Sequence, residues 1–248
     1  MKRALLAVAM ALLLTGCAGD DEPQATDTET TPAAETANVK VYWLRDGKVW
    51  PALREIEETR AVASVALAEL EKGPTEMEMN DLGFTSAVSA DFLGVTIAGG
   101  VADPTGLIDL SEEGIAQIVF TLTQFSSVKS VEIGGKSLTR ADFEDFTPAI
   151  LVESPLPFEE VSSPLRVTGT ANTFEATFSY ELTDTDGLIV DENFVTATSG
   201  TGTRGTFDFT TKPYTVPFDG IGALIVFEHS AKDGSRINLV EIPLRMTR

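Results

Sequence analysis

The hydrophobic periodicity of the chain changes near residue 140, and this change restricts the possible folds more than any other feature of the sequence. Between residues 39 and 140, two segments repeat apolar side chains at helical spacing, and strand-forming runs flank both. Beyond residue 147, apolar and polar side chains alternate instead. Apolar side chains at helical spacing bury one face of a helix, whereas a two-residue alternation buries one face of a β-strand. The chain is therefore predicted to form two modules of different fold class.

The first module, residues 39–140, begins with a strand-forming run. Asp46-Gly47 after this run is a tight-turn signal, and it allows residues 48–53 to pair back as a hairpin arm. A helix is expected from a cap at Thr59 to Lys72, because Gly73-Pro74 carries the usual chemistry of a helix end.

Two further strands are expected at residues 93–98 and 105–110, with Gly99-Gly100 as the bend after the first. Ser111 caps a second helix whose apolar face extends to Phe125, and residues 128–133 form the closing strand. The resulting order is β-α-β-β-α-β. This order predicts an α+β module with two helices on one face of a mixed sheet.

The second module, residues 147–246, shows about seven short strands separated by turn signals. In the clearest strand, residues 174–182, Phe174, Phe178 and Leu182 share one face and polar side chains the other. The series predicts an all-β immunoglobulin-like sandwich. The only cysteine, Cys17, precedes this module, so hydrophobic packing must hold the two sheets together. Residues 138–146 are expected to be a short helix or an ordered linker.

Four segments follow one another over about a hundred positions: residues 39–44, 66–75, 85–87 and 117–131. Together they resemble the GerMN domain, a family named for spore-germination and sporulation lipoproteins. The Gly-Pro after the first helix and the glutamine that leads the second are the most specific parts. The resemblance implies a fold similar to the ring-building motif of membrane-spanning secretion and sporulation channels. It therefore implies protein assembly at an envelope rather than catalysis, and it provides no catalytic residue.

Three segments of the second module resemble the immunoglobulin-like domain of the Gmad type, namely residues 163–171, 200–205 and 227–236. This domain follows GerMN in many bacterial lipoproteins. The two resemblances and the N-terminal sequence therefore imply one consistent lipoprotein architecture.

The N-terminus has the parts of a bacterial lipoprotein signal. Lys2 and Arg3 form a positive region, and residues 4–14 are an unbroken apolar run that is too short to span a bilayer. The run ends in Leu14-Thr15-Gly16-Cys17, which matches the lipobox: small side chains admit the peptidase, and the thiolate takes up a diacylglyceryl group. Residues 1–16 are predicted to be a lipoprotein signal peptide. The alternative is a plain secretory signal with an incidental cysteine.

Residues 17–38 are rich in acidic residues, Thr, Ala and Pro, and they contain no aromatic side chain. Such a composition does not offset the entropy of ordering, so a disordered acidic tether is expected. The chain carries a formal net charge of -20. This charge argues against nucleic acid as a partner and against electrostatic binding to anionic lipid. Solubility or a saline habitat explains the acidity, and a cationic ligand is the alternative.

Three short motifs match known sites but lie in the wrong context. Gly200-x-Gly202-x-x-Gly205 has the spacing of a dinucleotide fingerprint, but a strand follows it instead of the required helix. Ser126-Ser127-Val128-Lys129 has the spacing of penicillin-recognising enzymes without their companion motifs. Asp184 and Asp186 suggest a weak calcium site, although the sequence favours a hairpin turn.

The remaining candidate groups are isolated. His229 is the only histidine, so zinc sites and catalytic triads would need carboxylate or serine partners. Trp43 and Trp50 could form a carbohydrate platform, although Trp43 is expected in the core. No metal site, cofactor or catalytic residue is predicted.

The sequence thus predicts a non-enzymatic lipoprotein on the extracytoplasmic face of the plasma membrane, held in the bilayer by the lipid on Cys17. The expected partner is another cell-envelope protein, and a homo-oligomer is possible. The contact surface is predicted on loops 199–205 and 230–236, with Arg204, Asp233 and Arg236 as candidate residues. The alternatives are binding of cell-wall glycan or another small ligand, favoured by an exposed aromatic cleft near Trp50, and hydrolase activity, which lacks a nucleophile with a base.

Replacing Cys17 with alanine is expected to release the protein from membranes or to block its processing, because the thiol is the site of lipid attachment. Membrane fractionation and the mass of the N-terminal peptide measure both effects. The neighbouring Ala18→Ser variant keeps the thiol and should remain anchored. A processed Cys17→Ala chain that stays in the membrane fraction would refute the lipobox assignment.

Overall fold

The computed structural model describes residues 35–89, 94–106 and 110–248. The predicted signal peptide, the lipobox with Cys17 and most of the predicted tether lie outside these residues. The described residues belong to one compact unit. None of the helices in these ranges is long and apolar enough to cross a membrane.

The first module contains helices and strands in mixed order, so the predicted α+β class is confirmed. Its elements are β1 (Thr36–Arg45), β2 (Lys48–Glu57), α1 (Val62–Lys72), α2 (Glu76–Leu82), β3 (Gly94–Ala98), β4 (Val101–Thr105), α3 (Glu112–Leu122), β5 (Ser130–Ile133), β6 (Lys136–Leu138) and a 3₁₀ helix, Arg140–Phe146. Strand β1 begins inside the predicted tether, three residues before the expected start of the module.

The strands of this module form two sheets rather than the single mixed sheet that was predicted. Strands β3, β4, β5 and β6 lie in that order, with β4 and β5 parallel and the other pairs antiparallel. Strands β1 and β2 form a separate antiparallel hairpin in which Arg45 faces Lys48 across the predicted Asp46-Gly47 turn. Within the described residues, no strand of the four-stranded sheet pairs with this hairpin. Helices α1 and α3 pack on β1 instead.

Two local predictions in this module are wrong. The strand expected at residues 105–110, of which 107–109 lie outside the described residues, is found earlier as β4, Val101–Thr105. Gly99 and Gly100 both adopt positive φ angles and reverse the chain at once. Thr59 does not cap α1. Its Oγ1 accepts a hydrogen bond from Ala61 N–H (3.1 Å) in the turn before the helix, and Ala61 is the residue at the N-cap.

The helix ends follow the sequence more closely. Ser111 Oγ accepts from Gly114 N–H (3.2 Å), which confirms the predicted cap of α3. Gly73, at a φ of 82°, ends α1 as expected. Helix α2 was not predicted, although its signal was present: Thr75 and Glu78 form a reciprocal capping box at its start.

Polar side chains of α3 and of the turn after it satisfy the outer edge of β1. Gln124 Oε1 accepts from Lys40 N–H (2.7 Å), and Gln124 Nε2 donates to Lys40 O (2.6 Å). One turn earlier, Thr121 Oγ1 accepts from Tyr42 N–H (3.2 Å). The helix therefore provides the hydrogen bonds that a neighbouring strand would normally make.

Gln117, at the start of this polar face, is fully buried. Its Nε2 donates to Tyr42 O (2.8 Å) and its Oε1 accepts from Ala87 N–H (2.8 Å). Two residues before Ala87, Thr85 exchanges backbone hydrogen bonds with Leu44 at 2.8 and 2.9 Å. One amide side chain thus joins β1 to the loop before β3.

The second module is rich in β-strands, as predicted. Its strands are β7 (Ile150–Ser154), β8 (Glu160–Val161), β9 (Arg166–Ala171), β10 (Thr177–Thr183), β11 (Ile189–Thr196), β12 (Gly205–Thr210), β13 (Gly220–His229) and β14 (Arg236–Met246). One sheet has the order β11-β10-β13-β14-β8 and the other β12-β9-β7. Phe178, Tyr180 and Leu182 are buried between them, and the Phe178 ring meets the Phe207 ring edge-on at 4.9 Å.

Phe174 does not belong to the inward face of β10, contrary to the prediction. The segment Phe174–Ala176 is a 3₁₀ turn in which Glu175 and Ala176 have φ angles of 53° and 58°. This turn breaks the two-residue alternation, so 59% of Phe174 is exposed. The alternation holds only from Thr177 onward.

Replacing Gln117 with leucine is expected to lower the free energy of unfolding by roughly 2–4 kcal/mol, because the buried Tyr42 carbonyl and the half-buried Ala87 N–H lose their partner. Gln124→Leu is the matched control: Gln124 is only half-buried, water can replace its bonds, and the loss should be about 1 kcal/mol. Chemical denaturation of both variants measures the difference. Equal losses would contradict the role assigned to Gln117.

Candidate functional site

The loops of residues 199–205 and 230–236 lie at the same end of the sandwich. The backbone of residues 173–174 joins the two sides: Thr173 O accepts from Thr201 N–H (2.9 Å), and Phe174 N–H donates to Glu228 Oε1 (2.8 Å). The end that the sequence singled out as a contact surface is therefore one continuous structure.

Arg204 from the first of these loops is bonded within the chain. Its Nε and Nη2 donate to the two carboxylate oxygens of Glu144 at 2.8 and 3.0 Å, and Nη2 also donates to Pro148 O (2.8 Å). The hydrogen bonds from Arg204 hold the pKa of Glu144 below its ordinary value. Because Glu144 belongs to the 3₁₀ helix between the modules, Arg204 fixes that helix to the sandwich.

The two candidates in the other loop also have internal partners. Arg236 donates to both carboxylate oxygens of Glu181 (3.0 and 2.5 Å) and lies 4.2 Å above the Phe227 ring. Asp233 Oδ1 accepts from Ser235 N–H (3.1 Å) and from its hydroxyl (2.7 Å), and these bonds lower the pKa of Asp233. Contact of Arg204, Asp233 and Arg236 with a partner stays a prediction.

A polar cluster that the sequence did not reveal lies where the two modules meet: Tyr42 is fully buried, and Arg140 and Glu153 are half-buried. Tyr42 in β1 donates from its hydroxyl to Glu153 Oε1 in β7 (2.5 Å), and Arg140 Nη1 donates to the same oxygen (2.5 Å). Arg140 also donates to Phe120 O (3.1 Å) and to Thr123 Oγ1 (2.8 Å). The Arg140 guanidinium group therefore donates hydrogen bonds to the sandwich, to the hairpin and to α3.

The charges in this junction cluster, Tyr42, Arg140 and Glu153, support one another. Burial would raise the pKa of Glu153, but the positive charges of Arg140 and Lys40 and the two hydrogen bonds bring it below the ordinary value. Burial and the Glu153 charge raise the pKa of Tyr42, so the phenol stays neutral. The cluster holds a fixed ion pair and offers no proton for general acid–base chemistry.

Trp50 forms the apolar part of the same junction. It is half-buried and packs against the cores of both modules, while Arg45 lies 4.2 Å above its ring and accepts the indole N–H through its carbonyl oxygen (3.1 Å). The cavity beside it measures about 20 Å³, less than the volume of a sugar ring. Trp43 is fully buried. The two tryptophans therefore do not form the carbohydrate platform that was considered.

The other motifs have structural roles where the chain is described. Asp184 Oδ1 accepts from the N–H groups of Asp186 and Leu188 (both 2.9 Å), as a hairpin turn requires. The Gly200–Gly205 motif leads into strand β12, not a helix. His229 packs edge-on against Phe227 with 5.2 Å between the rings. No group of three His, Cys, Asp or Glu side chains in the described ranges could hold a metal ion.

Comparisons with known proteins divide the chain at the same junction. Residues 40–139 match a domain family described as sporulation and spore germination, and residues 149–235 match the immunoglobulin-like domain of bacterial spore germination. A solved structure of the tandem GerMN domains of the sporulation protein GerM from Bacillus subtilis is 24% identical, with a TM-score of 0.33. That match covers 44% of this chain and 41% of the other. No curated protein matches the chain.

Replacing Glu153 with glutamine removes the negative charge of the junction cluster and leaves Arg140 without a counter-charge. We expect the free energy of unfolding at neutral pH to fall by roughly 2–4 kcal/mol. Because the pKa of Glu153 is lowered in the folded chain, its stabilisation is present above the unfolded value of about 4.3 and is lost as the pH falls through the folded value. The gap between the two proteins should therefore close in acid.

Denaturation from neutral pH to about pH 3 measures this gap. Asp208→Asn is the matched control, because Asp208 pairs with Arg166 on the exposed surface, where solvent weakens the pair. This control should change stability little at any pH. A Glu153→Gln effect that does not vary with pH would contradict the ion-pair role.

Proposed function

We propose that this chain, which joins a sporulation and spore germination domain to an immunoglobulin-like domain of bacterial spore germination, is a lipid-anchored, non-enzymatic interaction module of the cell envelope. Its body would stand outside the plasma membrane, held by the Cys17 lipid and spaced by the acidic tether. The proposed partner is another envelope protein.

The observation that carries this proposal is the closed junction between the two domains. The junction cluster joins the hairpin and α3 to β7, and Arg204 joins the 3₁₀ helix to the sandwich. Enzymes commonly place their sites in clefts at domain junctions, with titratable groups directed into the opening. Here the titratable groups bond to each other across the junction. Two domains held as one body suit a scaffold that presents a surface of fixed shape.

The net charge of -20 supports a position away from the bilayer surface. Anionic phospholipid headgroups repel such a body, so membrane attachment would depend on the lipid anchor. The same charge favours partners with basic surfaces and raises their association rate at low ionic strength.

Crosslinking in cells followed by affinity purification tests the proposal. We expect the anchored chain to recover a defined envelope protein, and the Cys17→Ala chain to lose it because the two no longer share one surface. The Glu57→Lys chain, changed on an exposed residue of the first module, serves as the control that retains anchor and partner. Firm retention on purified peptidoglycan, with no protein recovered, would replace the scaffold with the glycan-binding alternative.

A further inference from the structure

Strand β11 forms the outer edge of the larger sheet of the sandwich. It runs for eight residues, Ile189–Thr196, and pairs with β10 on one side. No strand of the described residues pairs with its other side. The first module contacts the sandwich at β7 and β14, where Val152, Val240 and Ile242 lie beside Trp50. Strand β14 lies beyond β10 and β13 in the sheet, so β11 is on the side away from the first module.

The middle of the β11 edge carries little protection against strand addition. Natural edge strands are commonly short, covered by another element, bent by a bulge, interrupted by Lys or Pro, or given an inward-pointing charge. In β11 the inward-pointing charge, Asp191, is bonded within the sandwich. The sequence of β11 is Ile-Val-Asp-Glu-Asn-Phe-Val-Thr, and its bulge lies only at the beginning, opposite Leu182 and Thr183. The other edge of this sheet, β8, has two residues, and β7 is covered by the junction.

The backbone in the middle of β11 is available to a new partner. Phe194 N–H donates to the side chain of its neighbour Asn193 (2.9 Å), a local bond that an incoming carbonyl group can replace. The strand itself is held firmly. Asp191, which is buried, accepts from the Tyr180 hydroxyl (2.6 Å) and from Lys212 N–H (3.0 Å). A partner would therefore meet an ordered template and lose little free energy in ordering it.

The side chains along this edge specify the chemistry of the partner. Phe194 is 69% exposed, and Ile189 and Leu188 at the start of the strand are 50% and 64% exposed. Glu192 is exposed between these apolar groups, and across the sheet it faces Glu181. Arg236 neutralises Glu181, whereas Glu192 has no ion pair with any basic residue that the structure describes. Because Glu192 and Phe194 are two residues apart, they lie on the same face of the sheet. They suit a partner strand that carries a basic and an apolar side chain two positions apart.

We propose that the free edge of β11 binds an extended segment of a partner protein by strand addition, and that this segment carries Lys or Arg two positions from an apolar residue, on one face. The proposal rests on the interaction function proposed above and names the surface and the partner chemistry. A second copy of the chain is the less suitable occupant. Each copy carries a net charge of -20 and would bring a further Glu192 to the same edge.

Two synthetic peptides of about nine residues test the proposal on the full chain carrying Cys17→Ala. The Val-Lys peptide carries Val and Lys in turn along one face, with Thr between them on the other face, and the Val-Glu peptide has Glu in place of each Lys. The Val-Lys peptide is expected to bind in fluorescence anisotropy and to shift the backbone amide resonances of Glu192, Phe194 and Thr196. Its affinity should fall as salt is added. The Val-Glu peptide should not bind, because it places like charges opposite Glu192.

Two substitutions and two matched controls locate the site. Glu192→Lys should weaken Val-Lys binding at least about fivefold, and Phe194→Thr about tenfold, because one removes the complementary charge and the other the apolar anchor. Glu57→Lys makes the same charge change on an exposed residue of the first module, and Ile97→Thr removes a side chain that is 40% exposed there. Both controls should bind within about twofold of the parent chain. Thermal unfolding confirms that each variant is folded.

Three results would overturn the proposal: equal binding of the two peptides, binding without shifts at these amides, or self-association that occupies the β11 edge in sedimentation experiments. The last would make a second copy the occupant. An envelope protein recovered by crosslinking in cells would still support the interaction function after any of these results. Only the assignment of that function to β11 would be wrong.

Discussion

The hydrogen bonds of Gln117 are the constraint on which the arrangement of the first module depends. The hairpin of β1 and β2 belongs to no larger sheet, so its edge would expose backbone groups inside the molecule. Gln117 joins Tyr42 O to Ala87 N–H, and Thr121 in α3 and Gln124 in the turn after it continue these bonds along β1. These bonds set the position of the hairpin along the helix. A shift of one residue would turn Tyr42 away from Glu153, so the junction depends on them as well.

The 3₁₀ helix between the modules is held from both sides by arginine. Arg140 bonds to Glu153 of the sandwich and to α3, while Arg204 of the sandwich bonds to Glu144 of the helix. Buried and half-buried ion pairs gain little stability over apolar contacts of similar size, because desolvation opposes the attraction between the charges. Their geometry is restrictive, however, since a guanidinium group must meet its carboxylate in one plane. We infer that these pairs select a single orientation of the two domains, and that apolar packing at Trp50 provides most of the stability.

Local signals in the sequence predicted the elements that depend on local chemistry. The Asp46-Gly47 turn, the Ser111 cap and the end of α1 at Gly73 each follow from residues that are close in sequence. The separate hairpin could not be predicted in this way, because its partner is a row of side chains about 75 residues away on α3. Phe174 fitted an alternation that three residues of 3₁₀ turn interrupt. The arginines at the loop end looked available because their carboxylate partners, Glu144 and Glu181, are distant along the chain.

The pairing of these arginines also determines what the surface can recognise. The chain has 18 Lys and Arg residues against 38 Asp and Glu residues. Several of the arginines are held in ion pairs within the chain, namely Arg54 with Glu78, Arg140 with Glu153, Arg204 with Glu144 and Arg236 with Glu181. Each pair is neutral, so the two domains keep their own excess of carboxylates at the surface, with fewer cations to bind anionic groups. A body of this kind is repelled by anionic lipid and by further copies of itself, and it attracts basic segments. On the function proposed above, the ion pairs that fix the two domains would therefore also leave a surface that favours a cationic protein over a membrane or a self-assembled ring.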